Sequence, residues 1–288
     1  MTMTTGTLYL VATPIGNLED ITHRAVRILR EVDLIACEDT RRTRVLLDHY
    51  QIKAKLLSYH EHNEKGRAAE LGAQLESGAD VALVSDAGTP CISDPGYRLV
   101  RESIKCGARV VPVPGATAFV SALIASGLPT NEFFFGGFLP ARTAARRARL
   151  SALSNFSSTL IFYEAPHRII DTLRDAHEIL GEREAVIARE LTKVHEEIAR
   201  GLLSELLARY ETAAAPRGEI ILIIDRHVIA PAHAERLLTE ISVATRVAAL
   251  EVEGFGTRAA LKKVAHEMNM SRSEAYRRLL AERARKSS

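Results

Sequence analysis

The chain has 288 residues, 47% of them hydrophobic and 26% charged, the balance of a folded, water-soluble protein of more than one domain. That composition excludes a disordered chain, a collagen-like repeat and a membrane channel: the longest apolar runs, such as Ile220–Ile224, are strand-sized and far short of a bilayer span. The net charge of +2 is unevenly spread, because residues 258–288 carry nine Lys/Arg against three Glu while residues 1–257 carry 29 basic against 33 acidic residues. A mildly acidic body with a basic tail points to a polyanionic partner met through that tail; the simpler alternative is a solubilising end helix. Cys37, Cys91 and Cys106 are odd in number and lack CxxC spacing, so neither a disulfide framework nor a metal site is expected. With no apolar leader before the first strand, the cytoplasm is the expected compartment.

In chain order, short apolar runs at 7–12, 33–37, 54–59, 81–84 and 109–112 predict strands, separated by segments with helical spacing such as Ala25, Ile28 and Leu29. This alternation implies an α/β fold with a largely parallel sheet. Residues 116–125 are apolar almost all round and predict a buried helix. A second alternating half follows, with strands at 133–139, 159–163, 184–188, 196–199 and 219–224 and helices at 143–155, 167–180 and 202–210. Gly136-Gly137 inside its first strand marks a bulge or a close backbone approach. After Asp225 the strand signal stops; 227–232 is the expected linker, and helices follow at 257–268 and from a Ser271-Arg272-Ser273-Glu274 capping box onward. The expected organisation is two α/β domains, 1–118 and 119–228, and a basic helical domain at 232–288.

Ligands of open α/β sheets bind outside the carboxyl ends of the strands. Three loops there have unusual composition: Thr13-Pro14-Ile15-Gly16-Asn17, the run SDAGTPCISDPG at 85–96, and Val113-Pro114-Gly115-Ala116-Thr117. Glycine permits close backbone approach and proline fixes loop shape, although either also punctuates ordinary turns. No GxxxxGK[ST] is present, no GxGxxG follows the first strand, and Ser85 is not in a GxSxG elbow. His60-Glu61-His62 lacks a third metal ligand.

The segments LYLVATPIGNL (8–18), EDTR (38–41), 85–96, Pro114-Gly115, Phe162-Tyr163-Glu164 with His167-Arg168, and ARELTK (188–193) occur in this order. Together they resemble the ribosomal-RNA branch of the tetrapyrrole-methylase superfamily, the 16S rRNA cytidine 2′-O-methyltransferases. The likeness covers residues 7–226, and the helical tail is similar to the family's terminal domain. It implies two α/β domains of the tetrapyrrole-methylase type with S-adenosylmethionine (SAM) in the cleft between them, and usually a homodimer. The implied substrate is a decoding-centre cytidine of small-subunit rRNA, methylated on the ribose. By position it implies cofactor contacts at Pro14, Ile15, Asp86, Gly88, Thr89, Thr117, Ala118, Tyr163, Leu191 and Gly218. The first loop departs from the Gly-rich loop of the tetrapyrrole enzymes, so those enzymes do not say what Asn17 does.

Activation of a ribose hydroxyl calls for a base or a nearby cation. Lys193 and Glu190 are the first candidates, with Glu164, Glu38 and Asp39 behind them. Desolvation beside a sulfonium would lower the Lys193 pKa; a surface ion pair is the alternative. Arg41 and Arg42 are expected on phosphate or the target nucleotide. Arg142, Arg146 and Arg147 lie in a stretch, 140–158, without an acidic residue, and Lys262, Lys263 and Arg277 add the tail's contribution. Tyr163 offers a stacking surface, whereas Tyr59 reads as core. The competing readings are a methylase of a tetrapyrrole-like ring and a nucleic-acid-binding regulator whose body senses a metabolite.

Overall fold

A computed structural model describes residues 5–212, 218–227, 242–268 and 270–286, the last four of these as backbone only. Contacts divide the chain into two units, Met1–His227 and Val228–Ser288.

The first unit begins with a five-stranded sheet of β1 (Thr7–Val11), β2 (Leu34–Cys37), β3 (Leu56–Ser58), β4 (Val81–Val84) and β5 (Arg109–Val113), in the order β3-β2-β4-β1-β5. Every pairing in it is parallel. Its central strand β4 is apolar and buried throughout because both faces are covered. Leu8, Val81 and Leu83 pack on Leu71, Leu75 and Leu99 of α3 (Glu64–Glu76) and α4 (Tyr97–Lys105). Val11, Ala82 and Val84 face the other way, towards Ile28, Leu29 and Leu47 of α1 (His23–Glu31) and α2 (Thr40–His49). Side-chain caps fix where two of these helices start: Thr22 accepts from the Ala25 N–H, and Asp39 from the Arg41 N–H.

The next helix, α5 (Ala118–Ser126), corrects the sequence reading. Ala122 and Leu123 are buried, but Ile124 is 73% exposed and Val120 40%, so the helix packs on one side only.

The second sheet comprises β6 (Phe133–Phe138), β7 (Thr159–Glu164), β8 (Glu184–Arg189), β9 (Glu197–Leu202) and β10 (Ile220–Ile224), in the order β6-β7-β10-β8-β9. It is mixed rather than parallel: β10 runs antiparallel to both neighbours, and β8 to β9. The short 190–196 connection explains the second pairing, since parallel strands need a crossover of a dozen residues or more. Strand β9 outruns its apolar signal, which ends at Ala199, because Arg200 is held by the carbonyls of Ser126 and Ala125 at the end of α5. Helices α6 (Thr143–Ala152), α7 (Ile169–Leu180) and α8 (Leu203–Thr212) cover one face, with Leu150, Leu173 and Leu206 among the buried contacts.

In the second unit, α9 (Val243–Val252), α10 (Thr257–Glu267) and α11 (Arg272–Lys286) close around Val247, Leu250, Val264 and Leu279. Ser242 and Ser271 cap two of them, accepting from the N–H groups of Thr245 and Glu274. The linker expected at 227–232 lies, apart from His227, outside the described residues.

Candidate functional site

A cleft of about 340 Å³ opens where the carboxyl ends of the first sheet's strands meet the second sheet. Its wall takes Ile15 from the loop after β1, the run from Asp86 to Asp94 after β4, and Thr117 and Ala118 at the start of α5. From the second sheet come Phe138, Tyr163, Glu164, Leu191 and the Gly218–Ile221 edge. Nine of the ten expected cofactor residues therefore converge on one cavity. Pro14 does not; it sits in an adjoining recess of about 120 Å³ with Thr13, Arg42 and Asp86.

The three loops are laced together by backbone. Thr13 and Gly88 exchange hydrogen bonds of 2.9 and 3.1 Å, N–H to carbonyl in each direction. The Thr89 hydroxyl bonds the Ala116 carbonyl at 3.1 Å and lies 2.7 Å from the Thr117 hydroxyl. Gly115 has no room for a side chain, because a Cβ there would lie 2.9 Å from that of Ala12. In the long loop Cys91 and Ser93 both hold positive φ, 70° and 62°. Such backbone costs on the order of 1–3 kcal/mol per residue and persists only where its surroundings impose it. Here Glu64 supplies an anchor, accepting from the Gly96 N–H at 3.1 Å while pairing with Arg98 at 3.3 Å.

The charge in this cleft is lopsided. Asp86 accepts from the Asp39 N–H at 3.0 Å and pairs with the exposed Arg42 at 3.3 Å. Asp94, which was not among the expected cofactor residues, lines the same wall. Burial first, and then the negative charge of Glu38, pushes its pKa up to about 6, against the pull of a hydrogen bond with Ser85. Burial and the charge of Asp86 also raise Glu38. Asp86 and Asp94 thus share the cleft wall, with Glu38 close enough behind them to raise Asp94, and a cationic ligand such as a sulfonium with its amino group would relieve the crowding. Tyr163 is raised to about 12 by burial and by Asp94, so its hydroxyl stays protonated. The repeat of Ser-Asp at 85–86 and 93–94 was the available signal for Asp94.

Lys193 and Glu190, the first catalytic candidates, stand beside the cleft and pair with each other. Neither lines the cleft. The Lys193 ammonium lies 2.8 Å from Glu190 and 3.4 Å from Glu219. Burial alone would lower its pKa, but the bond to Glu190 and the two carboxylate charges outweigh burial and raise it. These two carboxylates favour the charged form of the lysine. Glu190, lowered chiefly by its bond with Lys193, also accepts from the Glu219 N–H at 3.1 Å. The pair therefore works as a clasp on the Gly218–Glu219 edge of the cleft. At Gly218 (φ +89°) any other residue would be strained, and a Cβ there would fall 2.1 Å from the Glu190 carboxylate and displace it. Glu164 lines the cleft but is bound to Arg168 at 3.0 Å and to the Thr172 hydroxyl at 2.6 Å.

The cationic residues also sort differently from the sequence reading. Arg146 is 3% exposed and bonds Asp175 at 2.7 Å, so it cannot reach a phosphate; its role is to pin α6 to α7. Arg147 shares Asp175 and adds Glu178, at 2.8 and 2.6 Å. Arg41 is exposed but bidentate on Asp39, holding that carboxyl down at about 2. Arg142 is exposed and has no ion-pair partner among the described residues. In the second unit Lys262 and Arg277 are exposed, and Lys263 stands 4.7 Å over the Phe255 ring. Tyr59 is fully buried on Glu64, a core residue.

Residues 7–207 match the tetrapyrrole (corrin/porphyrin) methylases. The chain is 49% identical over 271 residues to a protein of Halalkalibacterium halodurans named ribosomal RNA small subunit methyltransferase I, covering 94% of this chain and 93% of the relative. A protein of the same name from Synechocystis is 46% identical over 278 residues, covering 94% and 96% of the two chains. Among solved structures, uroporphyrin-III-C-methyltransferase of Thermus thermophilus aligns with a TM-score of 0.54 at 21% identity, over 76% of this chain and 94% of that one. Diphthine synthase aligns at 0.58 and 13%, over 77% and 92%. At such identities these two structures speak for the fold alone.

Proposed function

The chain belongs to the tetrapyrrole methylase family, in the branch of its small-subunit ribosomal RNA methyltransferases, and on that premise we propose that it is a SAM-dependent 2′-O-methyltransferase for a decoding-centre cytidine of 16S rRNA. The observation that carries the cofactor reading is the convergence of three interlaced loops, with Asp86 and Asp94, on one cleft. SAM supplies a methyl group on a sulfonium that is already an activated leaving group. In this cleft Asp86 and Asp94 would meet its positive charge, backbone beside Gly88 and Thr117 its polar edges, and Ile15, Leu191 and Ala118 its apolar surface. With Lys193 engaged and protonated, the rate enhancement is assigned to holding the 2′-oxygen in line with the methyl carbon.

Arg42 at the cleft, Arg142, and Lys262, Lys263 and Arg277 of the second unit supply charge suited to RNA phosphates. The exposed apolar residues Val120 and Ile124 on α5 are the face on which a second copy would pair, giving a homodimer. Among the described residues no helix is long and apolar enough to cross a membrane; action on ribosomal subunits places the enzyme in the cytoplasm. Boundaries at 1–118, 119–228 and 232–288 fit a division of labour in which the first two domains share the cofactor.

The test is incubation with labelled SAM and small subunits lacking the modification, followed by nucleoside mass spectrometry. Label in 2′-O-methylcytidine is expected; transfer to no nucleoside of the subunit would contradict the reading.

A further inference from the structure

Phe138 closes strand β6, and it is oddly placed for a phenylalanine. Its ring lines the cleft, yet the residue is 57% exposed. Local backbone puts it there. Strands β6 and β7 pair in register from Phe133↔Thr159 to Phe135↔Ile161, and then a bulge brings Phe138 opposite Tyr163. The bulge consists of Gly136 and Gly137. A Cβ on Gly136 would lie 2.6 Å from the Phe162 ring, and Gly137 sits at φ +61°. Two glycines thus shift the strand so that its last ring stands at the cleft.

Tyr163 supports the ring at 5.5 Å between centroids and is itself backed by Phe135 at 5.1 Å. Beside the bulge stands Ser93 of the loop that carries Asp94; its hydroxyl would lie 3.4 Å from a Cβ on Gly137. The phenyl group therefore sits at the cofactor cleft with surface to spare. Four residues on, Arg142 precedes α6 as its N-cap, exposed and without an ion-pair partner among the described residues. Its neighbours Arg146 and Arg147 are both committed to Asp175.

A ribose inside a folded RNA reaches an enclosed methyl donor only when its nucleotide leaves the stack, which forfeits base stacking. We propose that Phe138 is the platform on which the target base restacks, with Arg142 holding a flanking phosphate. The proposal rests on the RNA-methylation reading and extends it to named contacts. A phenyl ring forms no hydrogen bond to a base edge, so this contact contributes to capture of the nucleotide and not to choosing cytosine.

The experiment compares wild type with Phe138→Ala, Phe138→Leu and Phe138→Trp, using small subunits lacking the modification as substrate. Loss of one stacked base is expected to lower kcat/KM for subunits by roughly ten- to a hundredfold in Phe138→Ala. SAM affinity by calorimetry falls far less than this rate does, although Phe138 also lines the cofactor cleft. Trp restores most of the rate, while Leu, apolar but without a π face, stays near the Ala value. Because the side chain is exposed, none of these changes disturbs the core, and sedimentation remains that of wild type. Leu as active as Phe, an Ala variant at full rate, SAM affinity falling in step with rate, or an altered oligomeric state would each overturn the platform. If wild type itself methylates no subunit, the RNA reading fails first, which is distinguishable from an Ala variant that keeps full activity.

Discussion

The two walls of the cleft are built on opposite principles. The first sheet offers loops held by backbone hydrogen bonds, with Thr13 and Gly88 paired, Thr89 on Thr117, and carboxylates projecting from a rigid frame. The second sheet offers rings and aliphatic groups, Phe138, Tyr163 and Leu191, on an edge whose shape depends on the Glu190–Lys193–Glu219 ion pairs. One wall suits a cation, while the other suits flat and apolar surface. Charge near a site is therefore shared between two uses: Lys193 ties the second wall together through Glu190 and Glu219, while Asp86 and Asp94 face the cleft.

Breaking the second wall at its tightest point gives the largest expected effect. Gly218→Ala forces a Cβ into the Glu190 carboxylate at a positive φ, so destabilisation of roughly 2–4 kcal/mol is expected in urea unfolding. SAM binding should fall with it, and an unchanged midpoint would mean that the 218 edge yields freely.

Removing charge from the first wall comes next. Asp94→Asn should weaken SAM binding by roughly ten- to a hundredfold, the usual worth of a charge-assisted contact, while leaving the fold cooperative. The pH dependence has a definite sign. The folded pKa of about 6 exceeds the ordinary 3.8, so without ligand the folded state holds the proton more tightly. Stability of the free protein should decline as pH rises between those two values. Affinity for a cationic ligand should instead increase as pH passes about 6 and level off above it. A flat affinity profile in wild type, or an unaltered one in Asp94→Asn, would detach Asp94 from the cation.

Lys193→Met distinguishes scaffold from chemistry. A clasp predicts single-turnover rates within a few-fold of wild type at saturating SAM, with stability lower by about 0.5–1 kcal/mol for a half-exposed ion pair. A fall of a hundredfold or more at unchanged SAM affinity would restore Lys193 as a proton acceptor. Smallest of all on stability is Ile124→Glu, within about 0.5 kcal/mol because the side chain is largely exposed. Its readout is sedimentation: a shift to monomer is expected, and an unchanged oligomer would move the pairing face elsewhere.

Legibility from sequence followed the range of the interaction. Central parallel strands such as Val81–Val84 are continuous apolar runs and read to the residue, and Gly136-Gly137 announced its bulge. What failed was non-local. An acid-free stretch around Arg146 hides Asp175, which lies in the next helix, and the ARELTK run hides Glu219, which arrives from β10's approach. Helix α5 looked buried because composition does not reveal how many neighbours a helix has. Asp94 was not singled out because its distinguishing property, the neighbouring charge of Glu38 and Asp86, arises only when separate strand ends meet.

Delivery of a methyl group to a ribose oxygen by this cleft can be read from where the label lands. Subunits methylated with deuterated-methyl SAM are digested to nucleosides, and the modified cytidine is fragmented by mass spectrometry. The added mass is expected on the ribose fragment, with the base fragment unshifted. Deuterium on the base fragment, or confined to a small molecule with none in the rRNA, would contradict it.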